Sequence, residues 1–479
     1  MESSKAIILS YSPEPEKICA SAARISTTLG TAIQIYEKTE KANIGNMISR
    51  ILSLGHKSFI EHINFTIAFE NVSAFAEEFI IEFRLASFTV KSRRYVDFSN
   101  MGYYCPVLRF SRDLTENEKG NEKGNEKVIK EYNQHMGYLF NEYNYFLESG
   151  IPKEDARFIL PYSYRSNFYC TVNARELIHI IYAAIYGRGS RFPELKNLGN
   201  SLLEQAMTII PDIFGCIEKV ETGTEDKEFK LRNLLKGKIS KGEGNADLTE
   251  LVAYTGNPDE VVATAAIVNN TGSGIDEAKE LIKKDQNIFN EVLKVVTEER
   301  RGRELEQANF TFKINRISLA GLTHMVRHRI QSIIVPSFTE FGKTEEYIVP
   351  DTIARDNLLL ERYNQVWKVN KSVFSEFKKQ GVLEEDLVYL YLSGDLLSIT
   401  TTMNGRQLYH FLQLRTCNRA QWEIRNIAID ILRKLRKIAP GLFSKVGPAC
   451  FMSGACPEGK MSCGKMKDIK EFFARGLCL

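Results

Sequence analysis

The chain carries two copies of one sequence pattern, and this repeat restricts its possible folds more than any other feature. When the sequence is shifted by 245 residues, Asn64-Phe65-Thr66 falls on Asn309-Phe310-Thr311. At the same shift, four further positions match: Ser73, Arg84, Ser87 and Ser92 fall on Ser318, Arg329, Ser332 and Ser337. An internal repeat of this length predicts two domains of the same fold.

The repeat continues beyond an insertion in the first copy. Residues 173–179 match residues 404–410 at a shift of 231, so the first copy contains extra residues. The insertion near 113–128 repeats Asn-Glu-Lys-Gly, and such a polar tract buries too little apolar surface to offset its ordering entropy. We therefore predict that this insertion is disordered.

The repeat and the composition together predict the domain limits. We expect a first domain over residues 1–216, a linker over 217–247, a second domain over 248–446 and a cysteine-containing tail over 447–479. The linker is rich in Lys, Glu and Gly, as connecting segments often are. Both domains fall within the usual range of domain sizes.

The hydrophobic periodicity predicts that each half combines strands with helices. Asn64–Glu70 alternates like a strand, and Ser73 is a predicted N-cap for the helix that follows. Arg84–Tyr95 is predicted to be a loop, and Arg406–Arg436 one long helix. The predicted fold class is α+β, with two tandem domains that each hold a β-sheet flanked by helices.

Charge and hydropathy argue against several classes of protein. The net charge of +3 gives no global argument for a nucleic-acid or membrane partner. The longest apolar run, residues 177–186, is too short to span a bilayer, and the N-terminal residues lack the apolar core of a signal peptide. We therefore expect an ordinary globular protein of the cytoplasm.

The nine cysteines are mostly scattered, and reduced thiols are the default without a secretion signal. Cys450, Cys456 and Cys463 are the exception, because they lie close together in a glycine-rich segment. Three thiols of this kind can bind zinc or an iron–sulfur cluster. Their spacing is looser than in zinc fingers, so free thiols are the favoured interpretation and a metal site is the alternative.

Several arginines stand in settings that suit an anionic ligand. Residues 327–329, Arg-His-Arg, precede Ser332, and residues 92–95 combine a hydroxyl with guanidinium groups that could hold a phosphate. Taken alone, each cluster could be a solvated helix end or a loop. Arg157 and Arg415 lie among apolar residues and need a negative partner, for which a structural ion pair is the alternative.

Together these motifs closely resemble the flavin-dependent thymidylate synthases in order and spacing. The matching segments are residues 55–62, 92–95, 156–161, 327–332, 404–415 and 420–425. The resemblance implies a homotetramer of single-domain subunits that binds FAD at sites between subunits. It also implies synthesis of dTMP from dUMP, with methylenetetrahydrofolate and reduced nicotinamide (NADPH) as co-substrates. The family uses no protein nucleophile, so catalysis would depend on positioning and electrostatics.

The resemblance also implies a set of site residues. It assigns dUMP binding to Ser92, Arg94, Arg157, Arg327 and Arg415. It assigns FAD binding to Arg327, His328, Arg329, Ser332, Asn404, His410 and Ser58. It assigns catalysis to Arg415, Ser92 and His56.

Each copy departs from the family pattern where the other keeps it. In the first copy, residues 82–84 read Glu-Phe-Arg instead of Arg-His-Arg, and Ala184 replaces the arginine at 415. In the second copy, the phosphate loop reads Thr-Glu at residues 339–340, and Val388 replaces the arginine at 157. We predict a division of labour, in which a homodimer forms a pseudo-tetramer with two working composite sites and two inactive ones.

Two further departures leave alternatives open. His324 stands where the family has glutamine, and Thr89 or Ile334 stands where it has asparagine. The substrate could therefore be a modified pyrimidine, or the chain could be a non-catalytic protein that binds nucleotide or flavin. A third alternative places the function in the cysteine segment. Nucleic-acid binding is disfavoured, because the arginines lack neighbouring aromatic residues for base stacking.

Overall fold

The computed structural model describes residues 3–39, 44–111, 122–215, 227–235, 238, 247–298, 302–344 and 346–475. The chain divides into two compact units. The first unit comprises residues 1–241, 337–343 and 347–395, and the second comprises residues 242–336, 344–346 and 396–479. Two segments of the second copy therefore belong to the unit that contains the first copy.

The first copy contains four strands and ten helices among the described residues. In chain order they are β1 (Lys5–Tyr11), α1 (Pro15–Arg24), α2 (Ala32–Glu37), α3 (Ile44–Ser53), β2 (Asn64–Ser73), α4 (Ala74–Ile81), β3 (Ala86–Val90), α5 (Glu122–Glu148), α6 (Lys153–Ala156), β4 (Arg165–Asn173), α7 (Ala174–Ile185), α8 (Pro193–Ile209), α9 (Pro211–Phe214) and α10 (Lys227–Leu235). Short 3-10 helices occupy Ser58–His62 and Arg157–Ile159.

The rest of the chain repeats this order and adds elements at its end. The elements are β5 (Thr249–Tyr254), α11 (Pro258–Thr271), α12 (Ile275–Lys284), α13 (Gln286–Glu298), β6 (Asn309–Ser318), α14 (Leu319–Met325), β7 (Ser332–Ile334), α15 (Asp351–Ala354), α16 (Asn357–Lys379), α17 (Glu384–Leu387), β8 (Leu396–Asn404), α18 (Gly405–Arg415), α19 (Trp422–Ile438), α20 (Pro440–Phe443), α21 (Ala449–Met452) and α22 (Met466–Ala474). The 3-10 helices here are Arg303–Gln307, Phe338–Thr344, Val388–Leu390 and Gly459–Met461.

Each unit holds one four-stranded antiparallel sheet, and the two sheets have the same topology. The strand orders are β1-β2-β4-β3 and β5-β6-β8-β7. The central register is also the same, because Asn64 pairs with Asn173 and Asn309 pairs with Asn404. These two sheets, with their flanking helices, confirm the predicted two-domain α+β fold.

Equivalent serines begin the first helix after the second strand of each sheet. The Ser73 and Ser318 hydroxyls accept hydrogen bonds from backbone N–H groups three residues on, at 2.9 and 2.8 Å. Each hydroxyl also donates to a buried carboxylate, Glu194 in the first unit and Glu423 in the second, at 2.6 Å. Burial raises the pKa of Glu194. The predicted N-cap at Ser73 is confirmed, and its carboxylate partner ties the cap to α8.

Two secondary-structure predictions are wrong. The predicted loop at Arg84–Tyr95 contains strand β3, which pairs with β4 from Ala86 to Val90. The predicted long helix at Arg406–Arg436 is two helices, because α18 ends at Arg415 and the Gln421 side chain caps α19 by accepting from Ile424 N at 3.1 Å. The apolar periodicity resumes in phase after the turn, and so conceals the break.

The insertion is helical in its described part. Residues 112–121 lie outside the described residues, and the backbone is helical from Glu122 onwards as part of α5. The prediction of disorder is therefore wrong for residues 122–128. Val128 is buried, and Lys127 forms an i,i+4 pair with Glu131 at 3.7 Å, so the end of the polar tract extends an amphipathic helix.

Polar contacts hold α16 of the second copy to α5 within the first unit. Arg362 forms a bidentate ion pair with Glu142 at 2.6 and 2.9 Å. About two helical turns along the same pair of helices, His135 Nε2 lies 2.7 Å from Asn370 Oδ1. Burial lowers the pKa of His135, which favours the neutral ring in this contact. These contacts explain why residues 347–395 belong to the first unit.

The C-terminal residues pack as part of the second unit. The Arg436 guanidinium on α19 donates to three backbone carbonyls, those of Phe443, Val446 and Phe473, at 3.2, 2.9 and 2.8 Å. Phe473 is buried on α22. Among the described residues, no helix is both long and apolar enough to cross a membrane.

Candidate functional site

The phosphate-binding candidates of the first copy form one cluster in the first unit. Arg94 Nε lies 2.6 Å from Glu154 Oε2, and its backbone N–H donates to Ser92 Oγ at 3.3 Å. Arg157 Nε donates to the Glu154 backbone carbonyl at 3.0 Å. The structure thus brings Arg94 and Arg157 together at one residue, Glu154, and Ser92 contacts the backbone of Arg94. Sequence reasoning missed Glu154 as the common partner of the two arginines.

The two guanidinium groups of this cluster differ in exposure. The Arg157 residue is 2% exposed, whereas the Arg94 side chain is 22% exposed. Lys153 donates to the Tyr95 carbonyl at 3.1 Å and fixes the next residue of the loop. The Arg94 guanidinium is partly exposed and is held by the Glu154 carboxylate, near the Ser92 hydroxyl. Such a guanidinium can bind a phosphate, which either replaces the carboxylate or shares the guanidinium with it.

His56 and Ser58 lie on a different element of the first unit. Both are exposed, and Ser58 is the first residue of the 3-10 helix that ends at His62. The secondary structure of this segment does not by itself place His56 or Ser58 beside the cluster at Ser92. Their predicted roles in catalysis and flavin binding remain predictions.

In the second unit, the Arg-His-Arg motif follows α14 and meets the end of α18. Arg415 is the last residue of α18, and its Nε donates to His328 Nε2 at 2.9 Å. Its Nη2 donates to the His324 carbonyl at 3.3 Å. The His328 ring also packs edge-on against Phe411 at 5.0 Å and lies 6.0 Å from the His410 ring.

The His328 imidazole is buried and electrostatically opposed to protonation. Burial, reinforced by the neighbouring charges of Arg415 and His410, lowers the pKa of His328 from 6.5 to about 3. The neutral ring leaves a lone pair on Nε2, which is what the Arg415 N–H needs as an acceptor. His328 therefore acts as a hydrogen-bond acceptor throughout the neutral pH range.

The other flavin candidates of the second copy lie close in sequence to His328 or Arg415, and most of them are exposed. Arg327, Arg329, Ser332 and His410 are all exposed. Exposed apolar side chains stand next to them in the chain, at Ile330, Ile334 and Leu414. Guanidinium groups suit the phosphates of an anionic cofactor, and apolar side chains suit its aromatic ring. This set of side chains fits a flavin nucleotide.

Asn404 has a structural role in addition to its predicted one. Its side-chain oxygen accepts from Gln407 N at 2.8 Å and caps α18, as Asn173 caps α7 in the first copy. The cap fixes the direction of the helix that carries Arg415.

Sequence reasoning missed Gln331, which shapes the turn after the Arg-His-Arg motif. Its amide is buried, accepts from Thr401 Oγ1 at 2.6 Å and donates to the Met325 carbonyl. The repeat held a signal for this residue, because the matching position in the first copy is Ala86. A polar side chain kept only where the motif is intact indicates a role in holding that motif.

In the first copy, the residues at the altered Arg-His-Arg motif form contacts with other side chains of the same copy. Glu82 pairs with Arg188 at 2.5 Å, and the Arg188 guanidinium lies over the Phe79 ring at 4.9 Å. Phe83, at the position of His328, packs against the His179 ring at 5.1 Å. An ion pair and aromatic packing therefore occupy the place of the flavin contacts.

The damaged phosphate loop of the second copy is also filled, and it lies within the first unit. Phe338 packs on Phe75 at 4.9 Å and on Phe79 at 6.3 Å. Thr339 is buried, and its carbonyl accepts from Tyr391 OH at 3.3 Å. Both damaged parts thus share Phe79 as a neighbour.

The thiols of Cys450, Cys456 and Cys463 lie near one another. Cys450 is buried, whereas Cys456 and Cys463 are partly exposed. Burial raises the pKa of the Cys450 thiol, and the thiols of Cys417, Cys456 and Cys463 contribute to this shift. Within the described ranges, no group of three or more His, Cys, Asp or Glu residues could hold a metal ion. The metal alternative therefore gains no support.

The fold and these clusters define a duplicated α+β protein with clusters of arginine side chains in both units. The sequence profile of the family described as thymidylate synthase complementing protein matches residues 7–212 and again residues 250–441. The chain therefore belongs to this family, in a two-domain form.

Similar proteins cover about half of this chain each. The flavin-dependent thymidylate synthase of Clostridium tetani is 35% identical over 244 residues, which cover 47% of this chain and 96% of the relative. That of Geobacter sulfurreducens is 34% identical over 227 residues, with the same coverages of 47% and 96%. Among solved structures, a UMP/dUMP methylase, PolB from Streptomyces cacaoi bound with 5-Br dUMP, has a TM-score of 0.38 at 20% identity and covers 47% of this chain and 99% of its own.

The family and these relatives establish the general class of activity. The chain is a thymidylate-synthase-type methyltransferase, and the family implies a flavin cofactor.

Proposed function

We propose that the chain makes dTMP from dUMP, with FAD as cofactor and with methylenetetrahydrofolate and NADPH as co-substrates. Each working site takes its phosphate contacts from the first copy and its flavin and pyrimidine contacts from the second. The observation that carries this proposal is that the two copies have lost opposite halves of one residue set. Independent decay of two copies would not be expected to leave one complete set.

The cluster around Glu154 supports the phosphate role of the first copy. Arg94 and Arg157 supply guanidinium groups, and Ser92 supplies a hydroxyl, within one group of contacts. Guanidinium groups bind phosphate oxygens by charge-assisted hydrogen bonds, often in pairs. The second copy offers buried Thr339 and Val388 at the equivalent positions, which cannot replace these charges.

The surface around His328 supports the flavin and pyrimidine roles of the second copy. Arg327, His328, Arg329, Ser332, Asn404 and His410 would hold the flavin there, with Ser58 of the first copy. The flavin, when bound, supplies the redox chemistry that this class of methyl transfer needs. The Arg415 guanidinium would polarise the pyrimidine, because a fixed cation stabilises negative charge that develops in the transition state. Ser92 and His56 complete the proposed catalytic set.

The filled remnants support two working sites rather than four per pseudo-tetramer. Glu82 is engaged by Arg188, and Phe338 is buried in an aromatic cluster. Neither position retains a group that could bind a flavin or a phosphate. We infer a homodimer with one complete residue set per chain.

The activity is tested by anaerobic turnover of the full chain. The purified protein is supplied with FAD, NADPH, methylenetetrahydrofolate and dUMP. The product is separated by chromatography and identified by its mass in mass spectrometry. We expect dTMP above a control without folate. A protein that binds FAD and dUMP but forms no product would refute the proposed reaction.

The division of labour is tested by two variants with matched controls. Arg94→Ala should weaken dUMP binding about tenfold to a hundredfold and leave FAD bound, since a charge-assisted contact contributes about 1.5–3 kcal/mol. Arg329→Ala should do the reverse. The controls are the equivalent positions of the other copy, Thr339→Ala and the exposed Arg84→Ala, which should leave both affinities unchanged. Equal loss of one ligand in both test variants would contradict the division.

A modified pyrimidine is the second candidate substrate. His324 and Ile334 replace family residues close to the flavin motif, and the His324 carbonyl accepts from Arg415. A change at this point could alter the recognition of the ring at C5. The same mass measurement, made with C5-substituted dUMP analogues, tests this candidate: faster turnover of an analogue than of dUMP would favour it.

A further inference from the structure

The contact between His328 and Arg415 joins two parts of the second copy that are far apart in sequence. Arg415 Nε donates to His328 Nε2 at 2.9 Å, and Arg415 Nη2 donates to the His324 carbonyl at 3.3 Å. Two separate acceptors on the Nε–Nη2 edge of one guanidinium restrict both its position and its rotation. Because Nε and Nη2 are hydrogen-bonded to His328 and to the His324 carbonyl, these two partners set the direction of the guanidinium.

The repeat shows that these two positions change together. Where the second copy has His328 and Arg415, the first copy has Phe83 and Ala184. Phe83 is buried and packs against the His179 ring, so the position has remained a packing position. The copy that lost the arginine therefore keeps an aromatic ring without its acceptor nitrogen. A histidine that served packing alone would not need the arginine as its partner.

We propose that His328 is a positioning residue, whose neutral Nε2 holds the Arg415 guanidinium in the orientation that acts on the pyrimidine. This inference rests on the proposed function, because it gives Arg415 a pyrimidine to act on. It implies that the ring carries its proton on Nδ1, since Nε2 accepts. It also implies that the histidine of this motif serves Arg415 directly, in addition to any contact with the flavin.

Because Arg415 lies at the end of a helix, the orientation of its side chain depends on its hydrogen-bond partners. Arg415 is the last residue of α18, and Thr416 is the C-cap. A long side chain at a helix end has several accessible rotamers, and each fixed partner removes some of them. Misplacement of a catalytic group by about 1 Å can cost about a hundredfold in rate.

The test is a double-mutant cycle in the full chain. Arg415→Ala should lower kcat by about a hundredfold or more, the usual cost of removing a preorganised donor. His328→Phe should lower kcat at least about tenfold. When FAD is saturating, so that a weakened flavin contact does not limit the rate, His328→Phe should have no further effect on kcat in the Arg415→Ala background, because its target is gone.

Two further variants separate positioning from general structural damage. His328→Gln retains a side-chain acceptor near the place of Nε2 and should recover most of kcat, whereas His328→Phe should not. Phe83→Leu, at the equivalent position of the first copy, should leave kcat unchanged. In the His328 and Phe83 variants, which keep Arg415 and the proposed phosphate contacts of the first copy, the KM for dUMP should change less than about threefold.

The outcomes distinguish this inference from the proposed function. If His328→Phe costs the same with and without Arg415, or if His328→Gln is no better than His328→Phe, the positioning role is wrong. If the wild-type chain makes no dTMP, the proposed function fails. In that case the same double-mutant cycle is measured as the free energy of unfolding in urea. Non-additive changes would support the contact between His328 and Arg415, and additive changes would refute it.

Discussion

The buried imidazole of His328 should make the second unit sensitive to acid. Its pKa is lowered from 6.5 to about 3 in the folded chain, whereas the unfolded chain keeps the ordinary value. Between these two values, the unfolded chain binds a proton that the folded chain does not bind. The free energy of unfolding therefore falls as the pH falls below about 6.5, and it continues to fall until about pH 3.

The size of the effect follows from the same two pKa values. Each pH unit below the unfolded pKa contributes about 1.4 kcal/mol, so lowering the pH from 7 to 5 should remove about 2 kcal/mol through this residue. The variant His328→Phe cannot titrate and should lack this part of the pH dependence. Asp395, whose pKa burial raises to about 7, acts in the opposite direction, but it is present in both proteins and cancels in the comparison.

The chain offers a local probe for this measurement. It has two tryptophans, Trp367 in the first unit and Trp422 in the second. In a Trp367→Phe background, fluorescence during urea unfolding reports on the second unit. The free energy of unfolding is measured at pH 7 and pH 5, with and without His328→Phe. If the loss between the two pH values is the same with and without His328, the reasoning is refuted.

Two further predictions concern the first unit and the C-terminal segment. Glu194→Ala should lower the free energy of unfolding by about 2–4 kcal/mol, because it leaves the buried cap at Ser73 without its carboxylate, whereas the exposed Glu204→Ala on the same helix should change it by less than about 0.5 kcal/mol in urea unfolding. N-ethylmaleimide should label Cys463 well before Cys450, since a buried thiol with a raised pKa presents little thiolate. Peptide mass spectrometry reads these rates, and equal rates would contradict the described packing.

Much of the fold could be predicted from the sequence because the repeat tests each local prediction twice. The predicted cap at Ser73 has a counterpart at Ser318, the cap at Asn173 has a counterpart at Asn404, and all four side chains accept backbone hydrogen bonds. Strand β3 could not be predicted, because its stability comes from pairing with β4, which lies some 80 residues away in the chain. The assignment of residues 347–395 to the first unit likewise depends on contacts with no local signal.

The candidate site was predictable in its residue types and not in its pairings. Arg94 and Arg157 could be named from the sequence, but the carboxylate and carbonyl of Glu154 that hold them could not, since acidic residues are common in helix first turns. The pairing of His328 with Arg415 joins residues 87 positions apart. A single sequence shows which side chains are present, whereas a bond of this kind depends on where α14 and α18 end.

Because the chain contains two copies of one domain, each altered position can be compared with its counterpart in the other copy. Phe338 and Glu82 have lost any ligand-binding chemistry, yet both make specific contacts, with Phe75 and with Arg188. Burying an aromatic side chain stabilises a fold by about 1.5–3 kcal/mol. Glu82 forms an ion pair with the Arg188 guanidinium at 2.5 Å. An arginine restored at position 82 would face Arg188 as a like charge, a change that carries a cost before any ligand binds. The altered positions make specific contacts within the first unit, so the proposed loss of two sites is compatible with the retention of both copies in one chain.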